Sequence, residues 1–352
     1  MDYSQILSQQ FNIKEEYAKN IITLLDDGNT IPFIARYRKE MHGSMDDQLI
    51  REFAEKLEYL RGLDKRRDEI RSLIDAQEKL TDEINLALDK AATLSELEDI
   101  YRPYRPKRKT RASIAKEKGL EPLANDILKQ EKGFEPSKSA VDYIDEEKGV
   151  TSVEDAIQGA MDIIAELVSD NAEIRKRIRN LTNANGVLVS VATDEEKDSV
   201  YKNYYDYKEP VKKIAGHRVL AVNRGEKEGF LKVSVETDSE NPLNSIFRAM
   251  ITDKNQLCSD IIREACTDAY QRLIYPSIER EVRNDLTDTA SENAMKVFAV
   301  NLKQLLMQPP VKGKTVLALD PGYRTGCKTA VVDSTGKVPV SYTHLTLPTN
   351  SL

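Results

Sequence analysis

At 352 residues, with 32% charged and 40% hydrophobic side chains, the chain is long enough for two or three compact units and has the profile of a surface-rich, mostly helical protein. Its net charge of −7 argues against a simple basic nucleic-acid binder judged by the total, so only a local concentration of charge can favour a polyanion. No apolar run approaches the roughly 18 residues a membrane span needs, the first residues show no basic-then-apolar leader, and Cys258, Cys266 and Cys327 have no zinc-ligand spacing to one another or to His42, His217 and His344. The expectations are a cytoplasmic protein with buried, reduced thiols, and no metal, cofactor or membrane partner.

Ile13, Tyr17, Ile21, Leu24 and Leu25 recur at helical spacing, with Asn12 as cap and Gly28 as stop. Thr30-Ile31-Pro32 opens a short second helix with proline in its first turn. One side of it carries Phe33, Ile34 and Tyr37, and the other Arg36, Arg38 and Lys39. Two short helices, a glycine turn and basic residues make a helix-turn-helix-like unit that would set these cations toward a DNA groove. A solvated helical face accounts for them more simply. Ser44, with Asp46 and Asp47 behind it, is expected to cap a long helix reaching about Glu78, with Gly62 as its weak point. A shorter helix follows Thr81, and another spans Leu94 to Tyr101.

The next segment cannot be helical throughout, because Pro103 and Pro106 each push the preceding residue toward extended geometry. It holds six basic residues, Arg102, Arg105, Lys107, Arg108, Lys109 and Arg111, and no acid, with Tyr101 and Tyr104 interleaved. An extended cationic strip can track a phosphate backbone while tyrosines stack on bases. The same residues also fit a solvated loop, or a clamp on the neighbouring acids Glu96, Glu98 and Asp99. Both remain open at this point.

Helices resume at Ala112 and Pro122. Thr151-Ser152-Val153-Glu154 reads as a capping box opening an amphipathic helix, and Asn171 opens another that carries Arg175, Lys176, Arg177 and Arg179, which read as a solvated face. Val187 to Val191 and Phe230 to Val235 alternate as paired strands, while Gly216 to Arg224 is ambiguous. Tyr201, Tyr204, Tyr205 and Tyr207 are expected to pack in a core rather than form a stacking platform. Helices restart at Asn241-Pro242. Pro276 is expected to interrupt one whose successor is marked by Val297, Phe298, Val300, Leu302, Leu305 and Leu306. Pro309-Pro310 is a hard stop.

Residues 315–333 read as strand, glycine turn, strand, with Asp320 closing the first strand. Such an Asp suits a metal of an RNase H-like nuclease, the phosphate loop of an actin-like or sugar-kinase-like ATPase, or a plain β-turn. Gly313-Lys314-Thr315 lacks the earlier glycine of a P-loop and precedes a strand instead of following one. The uncharged end, 339–352, resembles a translated adapter tail and is set apart from functional reasoning.

Three segments together resemble the Tex family of bacterial transcription accessory proteins: Asn29 to Glu40, Leu97 to Ala112, and Leu317 to Gly326. The resemblance implies a mainly α chain: a helical N-terminal domain with a helix-turn-helix-like unit (1–185), a small β or mixed insertion (186–240), a helical segment (241–310), and the first hairpin of a YqgF-type, RNase H-like α/β domain (311–338). The later helix-hairpin-helix and OB-fold parts would be missing. It implies nucleic-acid partners, RNA or DNA, in a transcription-related role, with Asp320 as a vestigial acidic position and no catalytic residue. Alternatives are a fragment of a metal-dependent nuclease or resolvase, and a helical scaffold for transcription or translation factors.

Overall fold

Apolar spacing near 3.6 residues and side-chain caps account for most of the helices in the computed structural model, which describes residues 2–252, 254–309, 312–322 and 326–345. The chain divides into two units, Met1–Ile214 with Ala221–Leu286, and Ala215–Leu220 with Thr287–Leu352. Two of these divisions, at 220/221 and 286/287, fall inside helices, and the third, at 214/215, falls just before one.

In the first unit, α1 (Tyr3–Phe11), α2 (Glu15–Asp26), α3 (Ile31–Tyr37) and the start of α4 (Asp47–Asp75) close around Leu7, Ile21, Ile34, Ile50 and Phe53. α1 was not foreseen. Asp2 caps it by accepting from the Ser4 and Gln5 amides. Asn12 ends α1 in the left-handed region and does not start α2. Asp46, not Ser44, caps α4, because Ser44 itself sits at φ 61° while the Asp46 carboxylate accepts from the Leu49 amide at 2.7 Å. α4 then runs unbroken through Gly62. Its second half packs with α5 (Asp82–Lys90) and α6 (Leu94–Tyr101) around Leu63, Ile70, Ile74, Leu88, Leu97 and Tyr101.

The largest core gathers α7 (Arg111–Glu117), α8 (Glu121–Lys129), α9 (Pro136–Ala140), α10 (Val153–Asp170), α11 (Ala172–Asn185), α13 (Glu240–Met250), α14 (Gln256–Asp268) and the start of α15 (Tyr275–Leu306). α10 is capped by Ser152, one residue later than the spacing suggested, with the Asp155 carboxylate reaching back to the Thr151 amide. Pro276 does not interrupt its helix. A wider π turn, Ala269–Ile274, comes just before it, and this loosened turn accommodates the proline ring and its missing amide hydrogen.

A small antiparallel sheet has the order β2 (Asp206–Pro210), β1 (Val187–Ala192), β3 (Leu231–Glu236). The β1–β3 pairing, with Leu188 opposite Val235, follows the alternation of the sequence. β2 was missed. Tyr201, Tyr204 and Tyr205 pack against Leu188, Val222 and Leu231, which makes the tyrosine cluster a core feature. The ambiguous stretch from Gly216 is helix α12 (Gly216–Lys227).

The second unit contains the far part of α15 and a meander of β4 (Val316–Gly322), β5 (Gly326–Val332) and β6 (Val340–Leu345). β6 falls in the segment set apart as a tail, and it pairs antiparallel with β5. The turn at 323–325 and the tail beyond 345 lie outside the described residues. Val297, Phe298, Val300, Leu305 and Leu306 are helical as expected, but all are exposed rather than buried.

Burial pushes the Cys266 thiol up to about 12, and it raises Cys258 as well. Neither forms thiolate near neutral pH. A disulfide reagent at pH 8 should therefore react quickly only with the half-buried Cys327 in the native chain, and with all three after denaturation. Fast native labelling at Cys266 would show that this core is not closed.

Candidate nucleic-acid interface

The basic strip begins where α6 ends. Thr93 caps α6 by accepting from the Glu96 amide, and Tyr101 closes the helix at 6% exposure within its apolar core. The Arg66 guanidinium lies 5.7 Å over the Tyr101 ring. Tyr101 is thus removed from the stacking role suggested for it, because its faces are already occupied by protein. Tyr104 is partly buried against the same core.

The chain after Tyr101 is not extended from the start. Arg102–Tyr104 makes one 3₁₀ turn with Pro103 in it, and extended geometry begins at Arg105, before Pro106. The far end is anchored by Thr110, whose hydroxyl accepts from the Ser113 amide (3.0 Å) while the Ser113 hydroxyl accepts from the Thr110 amide (2.8 Å). The segment between Tyr101 and Thr110 is therefore tied at both ends.

Its cations divide into two groups. Arg102 Nε lies 3.3 Å from Asp170, and the Lys107 ammonium bonds Asp170 and sits 3.4 Å from Glu166. Arg105 is 61% exposed and touches Glu98 only at 3.7 Å. Arg108, Lys109 and Arg111 are exposed and make no ion pair among the described residues. Of the three acids weighed as a clamp, only Glu98 pairs with the strip. Glu96 binds Lys176 at 2.8 Å, and Asp99 is turned inward.

Asp99 leads to what the sequence concealed. Arg175 and Arg179 are not on a solvated face. Both are buried, and both donate to the Asp99 carboxylate at 2.5 Å. Arg175 also donates to Ser277 (3.0 Å), and Arg179 to Glu281 (2.6 Å). The only clue was their i,i+4 spacing beside Ile174 and Ile178, which puts them on the apolar side of α11. Burial lowers the Arg102 pKa, with Arg175 adding repulsion and Asp170 and Asp99 opposing it.

The other predicted group lies on and just after α3. Arg36 and Lys39 are exposed, whereas the Arg38 guanidinium covers the Phe33 ring at 5.2 Å and donates to the Tyr37 carbonyl. Asp320 is exposed on β4, opposite Lys328. Among the described residues no group of three or more His, Cys, Asp or Glu is placed to hold a metal.

Three family descriptions match the chain in order: Tex-like protein N-terminal domain over residues 1–75, Tex central region-like over 131–298, and Tex protein YqgF-like domain over 314–350. The chain belongs to the Tex family. It is 46% identical to YdcI of Bacillus subtilis over 98% of its own length and 49% of that protein. It is 37% identical to the transcriptional accessory protein Tex of Neisseria gonorrhoeae, over 96% of the chain and 45% of the relative. Human S1 RNA-binding domain-containing protein 1 is 32% identical over 97% of the chain and 36% of that protein. The chain thus spans about half the length of the bacterial relatives it matches. Within this Tex chain, the strip falls between the first two matched regions.

Replacing Asp99 by Asn would leave Arg175 and Arg179 buried beside a neutral amide. The expected cost is about 3–5 kcal/mol of unfolding free energy, measured by urea denaturation at neutral pH. A loss below about 1 kcal/mol would mean that this carboxylate does not hold the three helices together.

Proposed function

We propose that this chain is a nucleic-acid-binding accessory protein of transcription that grips backbone phosphates through the 102–111 strip. The observation that carries this is the exposure of Arg108 and Lys109, which make no ion pair among the described residues, on a chain whose net charge is −7. An unneutralised cation cluster on an acidic surface attracts polyanions locally while the total charge limits non-specific adhesion. Relatives named as a transcriptional accessory protein and as an S1 RNA-binding domain protein support the same direction.

Phosphate contact gives affinity and register but no base readout. With Tyr101 buried and Tyr104 only partly accessible, stacking adds little, so the reading is of weak, sequence-indifferent binding. The helix-turn-helix-like pair α2–α3 supplies a second, smaller cationic face through Arg36 and Lys39. No reaction is assigned to the chain, and its setting is read as cytoplasmic. No helix among the described residues is long and apolar enough to cross a membrane.

Fluorescence anisotropy with labelled single-stranded RNA and with duplex DNA, at low and moderate salt, tests this. Saturable binding at low salt that weakens with salt is expected, and R108E with K109E should weaken it at least tenfold. Absence of saturable binding at low salt would refute the proposal for this chain. Loss of duplex binding on R36E with K39E, with the strip variant unaffected, would move the interface to α3.

A further inference from the structure

The strip does not hang free in solvent. It is laid along one face of α10, where Asp162, Glu166 and Asp170 recur every four residues and so stand in a row. Asp170 holds Arg102 and Lys107. Glu166 accepts from the Thr110 hydroxyl at 3.0 Å and stands 3.4 Å from Lys107. Asp162 stands 3.6 Å from Arg272, and its carboxyl is pushed up by burial while the charges of Arg111 and Arg272 draw it back down. The side chains of Glu166 and Asp170 are only 18% and 11% exposed, so they are committed to these partners.

Resting on the phosphate-binding reading above, we propose that the Glu166–Asp170 face of α10 sorts the strip's cations. Arg102 and Lys107 are docked and neutralised, while Arg105, Arg108 and Lys109 are displayed to a single-stranded nucleic-acid backbone. Only displayed charges release counterions when a phosphate arrives. A docked cation already has its carboxylate, and a phosphate would have to displace that carboxylate from a poorly hydrated site. Glu166 and Asp170 are therefore positioning residues. They fix which cations face outward, and they withhold two of the six from the ligand.

Salt titration separates the two sets, with single-stranded RNA as the probe and the full chain as the protein. Each phosphate neutralised contributes roughly 0.7 to the slope of log affinity against log salt. The displayed pair, R108Q with K109Q, should lower that slope by about 1.4. The docked pair, R102Q with K107Q, should leave it unchanged. Freeing Lys107 and Arg102 without deleting them, by E166Q with D170N, should steepen the slope by about 0.7 to 1.4 and tighten binding at low salt. A purely structural role for the carboxylates would not produce that gain. The surface pair R108Q/K109Q does not touch packed groups, so it reports even where the docked variants fold poorly. Equal slope losses from the two pairs, or no steepening in E166Q/D170N, would overturn the sorting while leaving phosphate binding standing. An intact chain that binds no RNA at low salt would instead remove the underlying reading, and this inference with it.

Discussion

The molecule's most consequential interaction is one carboxylate, Asp99, shared by two buried arginines. Ionised groups out of water are costly unless their charge and hydrogen-bonding capacity are met on all sides. Asp99 accepts from Arg175 and Arg179 together, and Glu281 and Ser277 take further donors. Three helices distant in sequence, α6, α11 and α15, are thereby held to one mutual arrangement. Apolar packing alone tolerates some sliding, whereas short charged contacts at fixed angles do not. Because Arg102 follows Tyr101 directly, whatever holds α6 also sets where the basic strip begins.

Charge on this chain is organised by pairing more than by amount. Lys176 meets Glu96, Arg66 bridges Glu69 and Glu98, Arg71 bridges Asp68 and Asp89, and Arg283 meets Glu226. Against that background of local neutralisation, Arg108 and Lys109 stand out because no acid among the described residues pairs with them. A polyanion senses this unpaired remainder at short range, since beyond about 8–10 Å salt screens the net negative field. The total of −7 and a cationic edge are thus compatible features of one surface.

Most local signals in the sequence hold in the structure, whereas the long-range pairings could not be read from it. The ends of α6, the β1–β3 pairing and the position of the strip follow from caps, alternation and proline, all of which act over a few residues. Asn12 and Ser44 misled because a polar residue suited to an N-cap suits the left-handed region as well, and here both residues have positive φ. β2 was hidden among charged and aromatic residues, since an edge strand buries little. The burial of Arg175 and Arg179 could not be read, because their partners lie 76 to 102 residues away. Apolar periodicity marked Val297 to Leu306 as helix correctly, but periodicity says nothing about whether a partner covers the face.

The strip's mechanical setting bears on how it would bind. Tyr101 is locked in a core, the Thr110–Ser113 cap closes the other end, and Lys107 is pinned midway by Glu166 and Asp170. A tethered loop has little backbone freedom left to lose, so ligand contacts are not spent on ordering it. Pinning has the opposite effect on reach, because a loop held at three points cannot wrap around a flexible strand. The displayed side chains must do the adapting, and long flexible arginines and lysines do so at modest cost. This combination of a stiff backbone with mobile charged tips suits a surface that any phosphate backbone can approach and readily leave, and is poorly suited to one that reads a particular sequence.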